Sequence, residues 1–483
     1  MKMKENLSYL IPLFMFYMVI SGCTEPVLSP PLPDQTGHQF MLTPQQMEQD
    51  IDFLVKTIED SHPAPYAYIS HRDFKKAIKQ VRQACQNNIS IDQFYFQTAW
   101  LAGQLRNGHT NVSQPKGWKE RACEKVFPLY FWIEHDQVFL QGGHNLEPQY
   151  KGTQVIAIQE EPAFDVLRRY ANLPPREARN FDPDIVFNPN LLWYCLALDY
   201  GQDKLKLKLK DKTGQIEDIE IHAVIYEEIF QNITTTSASD QKSPITYNYH
   251  SDCRTGIIKV KTFGPPPQFS DAIKEAFTDL KEKNAENLII DVRDCPGGNS
   301  LFSDELIGYL TDKEFTDNIK GKLKYSKLYI QQRGKDQHYI AKSCFSLFTG
   351  GNLSMVTPPV NPGNNTLRFN GTLYVLINGS SRSTAGSFAT VIKHYNLGTL
   401  IGEQTGETMV RYGDSLSFTL PNSQLACSVA CKQYIMPGTT KENASQGVQP
   451  HIYIRPSLED IWNNRDPVME YALESCSCEN KSK

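Results

Sequence analysis

The chain has 483 residues, 40% of them hydrophobic and 21% charged, with a formal net charge of -5. That length gives ample apolar material for two or three domains with buried cores. The lack of a basic excess argues against a nucleic-acid partner, which would leave a cationic footprint.

At the N-terminus, Lys2 and Lys4 precede an apolar run from Leu7 to Ile20. The run has signal-peptide length and is too short to span a bilayer comfortably; no other apolar stretch is long enough. It closes on Ile20-Ser21-Gly22-Cys23, which resembles a bacterial lipobox. That resemblance implies a signal peptide over 1–22 and a diacylglycerol anchor on the Cys23 thiol. It also implies an exported protein attached to the bacterial outer membrane, facing the periplasm or the exterior. An ordinary secretory signal with an incidental cysteine is the alternative. Residues 23–42, with Pro26, Pro30, Pro31 and Pro33, read as the lipidated cysteine and an extended tether. Export permits disulfides among the other ten cysteines. The spacings of Cys427 with Cys431 and of Cys476 with Cys478 fit no zinc pattern, and neither a metal nor an organic cofactor is implied.

Residues 43–125 read as a helical subdomain. Thr43-Pro44 has the pattern of an N-cap followed by proline in the first turn, and Met47, Ile51, Leu54, Val55 and Ile58 then share one face. Phe74, Ile78 and Val81 predict a second helix, and Phe94, Ala99, Leu101 and Leu105 a third. Residues 126–245 read as a β-rich module ending in a polar linker from 225. Leu129 to Ile133 and Val138 to Leu140 predict a hairpin, Gly152 to Ile158 a strand, and Ala163 to Ala171 a helix. Leu205, Leu207 and Leu209 alternate with lysines as a half-exposed strand does. From 246 to 475 strands and helices alternate, which predicts an α/β core. Gly256 to Val260, Leu288 to Val292, Tyr374 to Ile377 and Gly398 to Gly402 are the strands. Asp271 to Lys283 and Ser383 to Tyr395 are the helices. Residues 476–483 read as a tail.

Three islands carry chemistry. Leu105-Arg106-Asn107-Gly108-His109-Thr110 lies where helical periodicity stops, so His109 falls in a turn at a helix end. Leu288 to Asn299 runs a buried strand into Pro296-Gly297-Gly298, where paired glycines let a backbone N–H approach a ligand. Asn378 to Ala389 opens a helix with small residues, placing a serine beside unpaired N–H groups and the positive end of a helix dipole. Such groups can stabilise the oxyanion of a tetrahedral intermediate. Each island also has an ordinary reading, as a structural histidine, a strand-to-helix turn and a serine cap.

In order and wording, the islands resemble the tail-specific, or C-terminal-processing, serine peptidases, closest to the tricorn-like and retinoid-binding-protein-like branch found among bacterial lipoproteins. Asp291-Val292-Arg293-Asp294-Cys295-Pro296-Gly297-Gly298 is similar to the family's Asp-x-Arg-x-x-x-Gly-Gly signature. Gly402 to Gly406 is similar to its Gly-x-x-Thr-Gly, and Gly447-Val448-Gln449-Pro450 to its Gly-Val-x-Pro-Asp, with His451 in place of Asp. The resemblance covers about 43–475 and implies a crotonase-like, Clp-protease-like core, with a PDZ-like module around Lys151 to Val166. It further implies a peptide or unfolded-protein substrate.

The resemblance also implies roles. Anchoring on Phe388-Ala389 puts the nucleophile at Ser383, with Ser381 and Ser387 as alternatives; Gly386 stands where the family has Glu. The branch with a lysine base needs it about 25 residues after the serine, where this chain has Thr408, and no lysine lies between Lys393 and Lys432. The branch with a histidine base matches His109, whose residue type suits proton transfer near neutral pH. Glu442, 59 residues after Ser383, is the first candidate to orient that histidine, with Glu403 and Glu407 behind it. The oxyanion donors are the N–H groups of Thr384 and Gly298, or of Gly297 in a shifted register. A catalytically inactive peptide- or ligand-binding lipoprotein on the same fold is the alternative function.

The anchor gives the first testable expectation. Wild-type protein fractionates with membranes and takes up labelled palmitate, and Cys23→Ser abolishes both. Labelling that survives the substitution contradicts the anchor.

Overall fold

The central sheet forms where the sequence runs apolar without alternation. The computed structural model describes residues 41–115, 125–144, 146–171, 173, 189–231, 243–265, 267–333 and 350–479. The signal peptide, Cys23 and the tether up to Phe40, most of the polar segment before the core, and residues 480–483 lie outside the described residues. Among the described residues no helix is long and apolar enough to cross a membrane.

Six strands make the sheet in the order Ile245–His250, Thr255–Val260, Asn287–Asp291, Thr372–Ile377, Thr399–Gly402, Ile452–Tyr453. All neighbours are parallel except the first pair. Successive side chains point to opposite faces, and both faces are covered. Leu288, Ile290, Val375 and Ile377 face a core made with helices Gln268–Glu282, Ser300–Gly308 and Thr384–His394. Ile289, Tyr374, Leu376 and Ile401 face a second cluster with Val468, Ala472 and Cys476 of the helix Pro467–Glu479. The chain is therefore α/β, as its alternating pattern predicts.

The N-terminal helices are Pro44–Ser61, His71–Ala84 and Ile91–Gly103. Thr43 caps the first in a capping box with Gln46. They dock on an antiparallel ladder formed by Val410–Thr419 and Ala426–Ile435, continued by Lys320–Lys324 and Asn352–Met355. Buried Asp50 accepts the N–H groups of Asn422 and Ser423, both at 2.8 Å, and so ties the first helix to the turn of that ladder. The β-rich module is a sheet in the order Ile216–His222, Lys204–Lys210, Gln154–Ile158, Gln137–Gly143, Leu129–Glu134, with the helix Ala163–Ala171 following its third strand in the chain.

Several expectations shift at their edges. Met41 and Leu42, read as the end of a tether, pair with Ile89 and Ser90 because Leu42 is fully buried. The segment from 225, read as a linker, begins as a helix, Tyr226–Gln231, because Tyr226 and Ile229 have partners to pack on; the Tyr226 ring lies 5.4 Å from that of Tyr194. Residues 476–479, read as tail, continue the last helix, with Cys476 fully buried. Cys85, Cys253, Cys295, Cys427 and Cys431 are free and buried, and Cys195 and Cys476 are buried as well.

Arg293 ties the last helix to the sheet. Its guanidinium donates to Asp291 at 2.9 and 2.8 Å and to Asp466 at 2.8 and 2.7 Å. Burial opposes ionisation of Asp466, but Arg293 outweighs it and leaves this carboxyl below its usual range. Its contribution is thus complete above the ordinary carboxylate range and is lost as pH falls below it. Arg293→Met strands buried Asp291 without its partner, and a loss of about 3–5 kcal/mol is expected in urea unfolding. A loss below about 1 kcal/mol would show that the cluster does not hold the two elements together.

Candidate active site

The strand Thr372–Ile377 ends in a loop that the sequence builds from short polar side chains. Ser381 is fully buried; its hydroxyl donates to the Val292 carbonyl at 2.9 Å and accepts the Asn378 N–H at 3.0 Å. It is structural. Ser387 is also buried and takes a hydrogen bond from Arg411. Ser383 differs from both. It occupies the N-cap of the helix Thr384–His394, yet its side chain makes no capping bond, and its backbone sits at φ 49°, ψ -119°. A serine that merely capped a helix would have extended backbone and would bond the first-turn N–H groups. Holding an L-residue in this region costs about 1–3 kcal/mol.

The Pro-Gly-Gly turn lies directly against this serine. A Cβ at Gly297 would sit 2.7 Å from Ser383 Cβ, 2.8 Å from the Thr384 nitrogen and 2.9 Å from the Arg382 carbonyl. Gly297 is at φ 103° and Gly298 at φ 144°, a backbone that only glycine holds without strain. Two peptide planes meet here, and each is pinned from its carbonyl side. The Gly297 carbonyl accepts from Phe263 N–H at 2.9 Å and the Thr262 hydroxyl at 3.0 Å, which fixes the plane carrying the Gly298 N–H. The Ser383 carbonyl accepts from Ser387 N–H at 3.0 Å and Arg411 Nη1 at 2.7 Å, which fixes the plane carrying the Thr384 N–H. Thr384 Oγ1 donates to the Gly298 carbonyl at 2.7 Å and joins the two segments. Among the described residues neither the Gly298 nor the Thr384 N–H meets a backbone acceptor. The Gly297 N–H is turned to the Cys295 sulfur. Burial pushes that thiol up to about 11, so it stays protonated and unreactive.

His109 lies in a turn beyond the helix Ile91–Gly103, as expected. Its carbonyl accepts the hydroxyls of Ser415 at 3.0 Å and Ser428 at 3.1 Å. Asn111 and Val112 then extend the ladder by pairing with Ser428 and Cys427. Its Nε2 is 3.8 Å from where a Cβ of Gly413 would be. Arg411, two residues earlier on the same strand, reaches Ser383 from the same face. His109 and Ser383 are thus brought to one face of Val410–Thr419, although 274 positions separate them in sequence. No hydrogen bond joins them, and His109 Nδ1 is buried without a partner.

The candidate acids scatter. Glu442 is exposed in the turn after the ladder; its carboxylate bonds Thr440, which holds it below its usual range, and no ion pair or hydrogen bond links it to His109. Glu403 faces Arg455 at 3.8 Å. Glu407 is buried, with Oε2 unpartnered, and its Cβ lies 3.3 Å from the Cβ position of Gly386. Thr408 bonds the Val410 carbonyl at 2.6 Å. Buried His62 packs its ring 4.8 Å from that of Tyr412; burial lowers it to about 3, so it is neutral.

Residues 254–454 match the model of peptidase family S41. The core of this chain belongs to that family. Two solved structures carry the fold across nearly the whole chain. Mature CPAF complexed with lactacystin is 14% identical with a TM-score of 0.59, over 91% of this chain and 98% of that one. A point mutant of CPAF is 14% identical with a TM-score of 0.60, over 90% of this chain and 96% of that one. At that identity the likeness is one of fold. No curated protein matches the chain. The S41 core thus spans the strands and turns that place Ser383, Gly297 and Gly298, while His109 comes from outside the matched segment.

Arg411 is the residue that sequence reading passed over. The close contact at Gly297 limits what the turn tolerates. Gly297→Ala drives a Cβ into Ser383 and the Thr384 nitrogen, so a loss of about 1–3 kcal/mol is expected in thermal or urea unfolding. A fully stable Gly297→Ala protein would show that the turn does not abut the serine.

Proposed function

We propose that this S41 protein is an exported, lipid-anchored serine endopeptidase that cleaves peptides or unfolded protein tails through an acyl-enzyme on Ser383. The observation that carries the reading is Ser383 itself, a helix N-cap serine whose hydroxyl is not spent on capping and whose strained backbone abuts the Gly297-Gly298 turn. In the first step Ser383 Oγ attacks the scissile carbonyl carbon, and its proton passes to His109 Nε2. The carbonyl oxygen becomes an oxyanion, facing the N–H groups of Gly298 and Thr384. The intermediate collapses, the C–N bond breaks, and the leaving amine takes the proton from His109. Water, deprotonated by the same imidazole, then adds to the ester carbonyl; the C–Oγ bond breaks, Ser383 Oγ takes the proton back from His109, and the acid product leaves. A carboxylate at His109 Nδ1 would hold the imidazole in the required tautomer; Glu442 is the candidate by position, and it has to move from Thr440 to act.

A binding protein on the same fold is the second reading, favoured by the unpartnered His109 Nδ1. A serine-reactive fluorophosphonate separates the two. Labelling of the folded wild type is expected, with none in Ser383→Ala and a rate about 10²-fold lower or less in His109→Ala. Folded wild-type protein that resists the probe favours the binder.

A further inference from the structure

Arg411 is placed where an arginine is costly. It lies within the strand Val410–Thr419, is 9% exposed, and among the described residues its side chain bonds a carbonyl and a hydroxyl, with no ion pair. A cation taken out of water without an ion-pair partner is normally removed by selection for stability, unless its charge or its hydrogen bonds serve something. Its hydrogen bonds go to the nucleophile's own backbone. Nη1 donates to the Ser383 carbonyl at 2.7 Å and Nη2 donates to the Ser387 hydroxyl. Ser387 N–H donates to the same Ser383 carbonyl at 3.0 Å, which closes a three-membered clamp of guanidinium, hydroxyl and peptide.

The Ser383 carbonyl and the Thr384 N–H belong to one peptide unit. We infer that Arg411 is a positioning residue for oxyanion stabilisation, pinning the Ser383–Thr384 peptide so that its N–H faces the developing charge. The inference rests on the peptidase reading of the site. A cationic donor on a carbonyl also polarises the peptide and strengthens the N–H on its other side. The second peptide of the pair, Gly297–Gly298, is held by the neutral donors Phe263 N–H and the Thr262 hydroxyl. The charge therefore acts on one peptide only, the one carrying the serine with φ 49°. That backbone lies outside the helical region and needs an outside restraint to persist.

Position 386 fits the same device. A Cβ there would lie 3.6 Å from Arg411 Nη1 and 3.3 Å from Glu407 Cβ. Gly386, where the resembling family has Glu, puts no carboxylate of its own beside the guanidinium. A carboxylate in that place would pair with Arg411 and draw its charge away from the peptide. Lysine cannot substitute for the arginine, because one ammonium cannot span both the Ser383 carbonyl and the Ser387 hydroxyl as a planar fork does.

The test uses the full chain, with a fluorophosphonate probe for single-turnover labelling and an unfolded casein substrate for turnover. Arg411→Ala is expected to lower the labelling rate constant and kcat by about 10–100-fold with KM nearly unchanged. Millimolar methylguanidinium is expected to restore several-fold of the lost rate, saturably, and to leave the wild type unaffected. Ser387→Ala, which frees one side of the fork and keeps the charge, is expected to fall between the two. If Arg411→Ala does not fold, Ser387→Ala carries the test, and a wild-type kcat there overturns the inference. A folded Arg411→Ala with wild-type labelling and kcat also overturns it, as does a loss that methylguanidinium cannot rescue. Wild-type protein that neither labels nor cleaves contradicts the peptidase reading itself, and this inference with it.

Discussion

The space that a side chain at position 297 would fill is already taken. Ser383 Cβ, the Thr384 nitrogen and the Arg382 carbonyl all lie within 3 Å of where that Cβ would be. This contact requires glycine, and it brings the end of one parallel strand against the helix that follows another. The two strands are neighbours in register, Asn287 opposite Thr372 through Asp291 opposite Leu376, so their C-terminal ends emerge side by side. A parallel sheet with both faces covered makes that juxtaposition rigid. The strain in Ser383 is then sustained by packing that includes Phe388, Ala389 and the rest of a buried helix.

The histidine reaches the site by a different route. The N-terminal helices dock on the antiparallel ladder, and the turn carrying His109 is stitched to two serines of that ladder through its carbonyl. Thr110 continues the attachment, accepting the Ala430 N–H at 3.1 Å while its hydroxyl donates to Asn107 at 2.7 Å. The backbone of His109 is thereby fixed, while its imidazole keeps an unpartnered Nδ1.

Much of this was legible in the sequence, and the exceptions have physical causes. Tyr374 to Ile377 announced a doubly covered strand because each of its side chains is buried. The helix Pro189–Tyr200 gave no periodicity because Leu191 to Ala197 are buried on every side, so no polar face exists to mark it. The strands Val410–Thr419 and Ala426–Ile435 escaped notice because small and polar residues (Gly413, Ser415, Ser428) face the His109 turn instead of an apolar core. Arg411 stayed hidden for the same reason. An arginine in a strand reads as solvent-facing, and only the fold shows its guanidinium turned inward to the Ser383 carbonyl. The positions of Ser383 and His109 came from motif resemblance, while the exclusion of Ser381 and Ser387 needed their hydrogen bonds.

The central claim is that Ser383 is a nucleophile served by the Gly298 and Thr384 N–H groups. The most direct measurement is a crystal structure of the protein with a peptide boronic acid, which forms a tetrahedral adduct on an activated serine. The account predicts a covalent bond from Ser383 Oγ to boron, with one boronate oxygen about 2.7–3.1 Å from both nitrogens. A boronate that bonds another residue, or an adduct whose oxygens turn away from the Gly297-Gly298 turn, would contradict it.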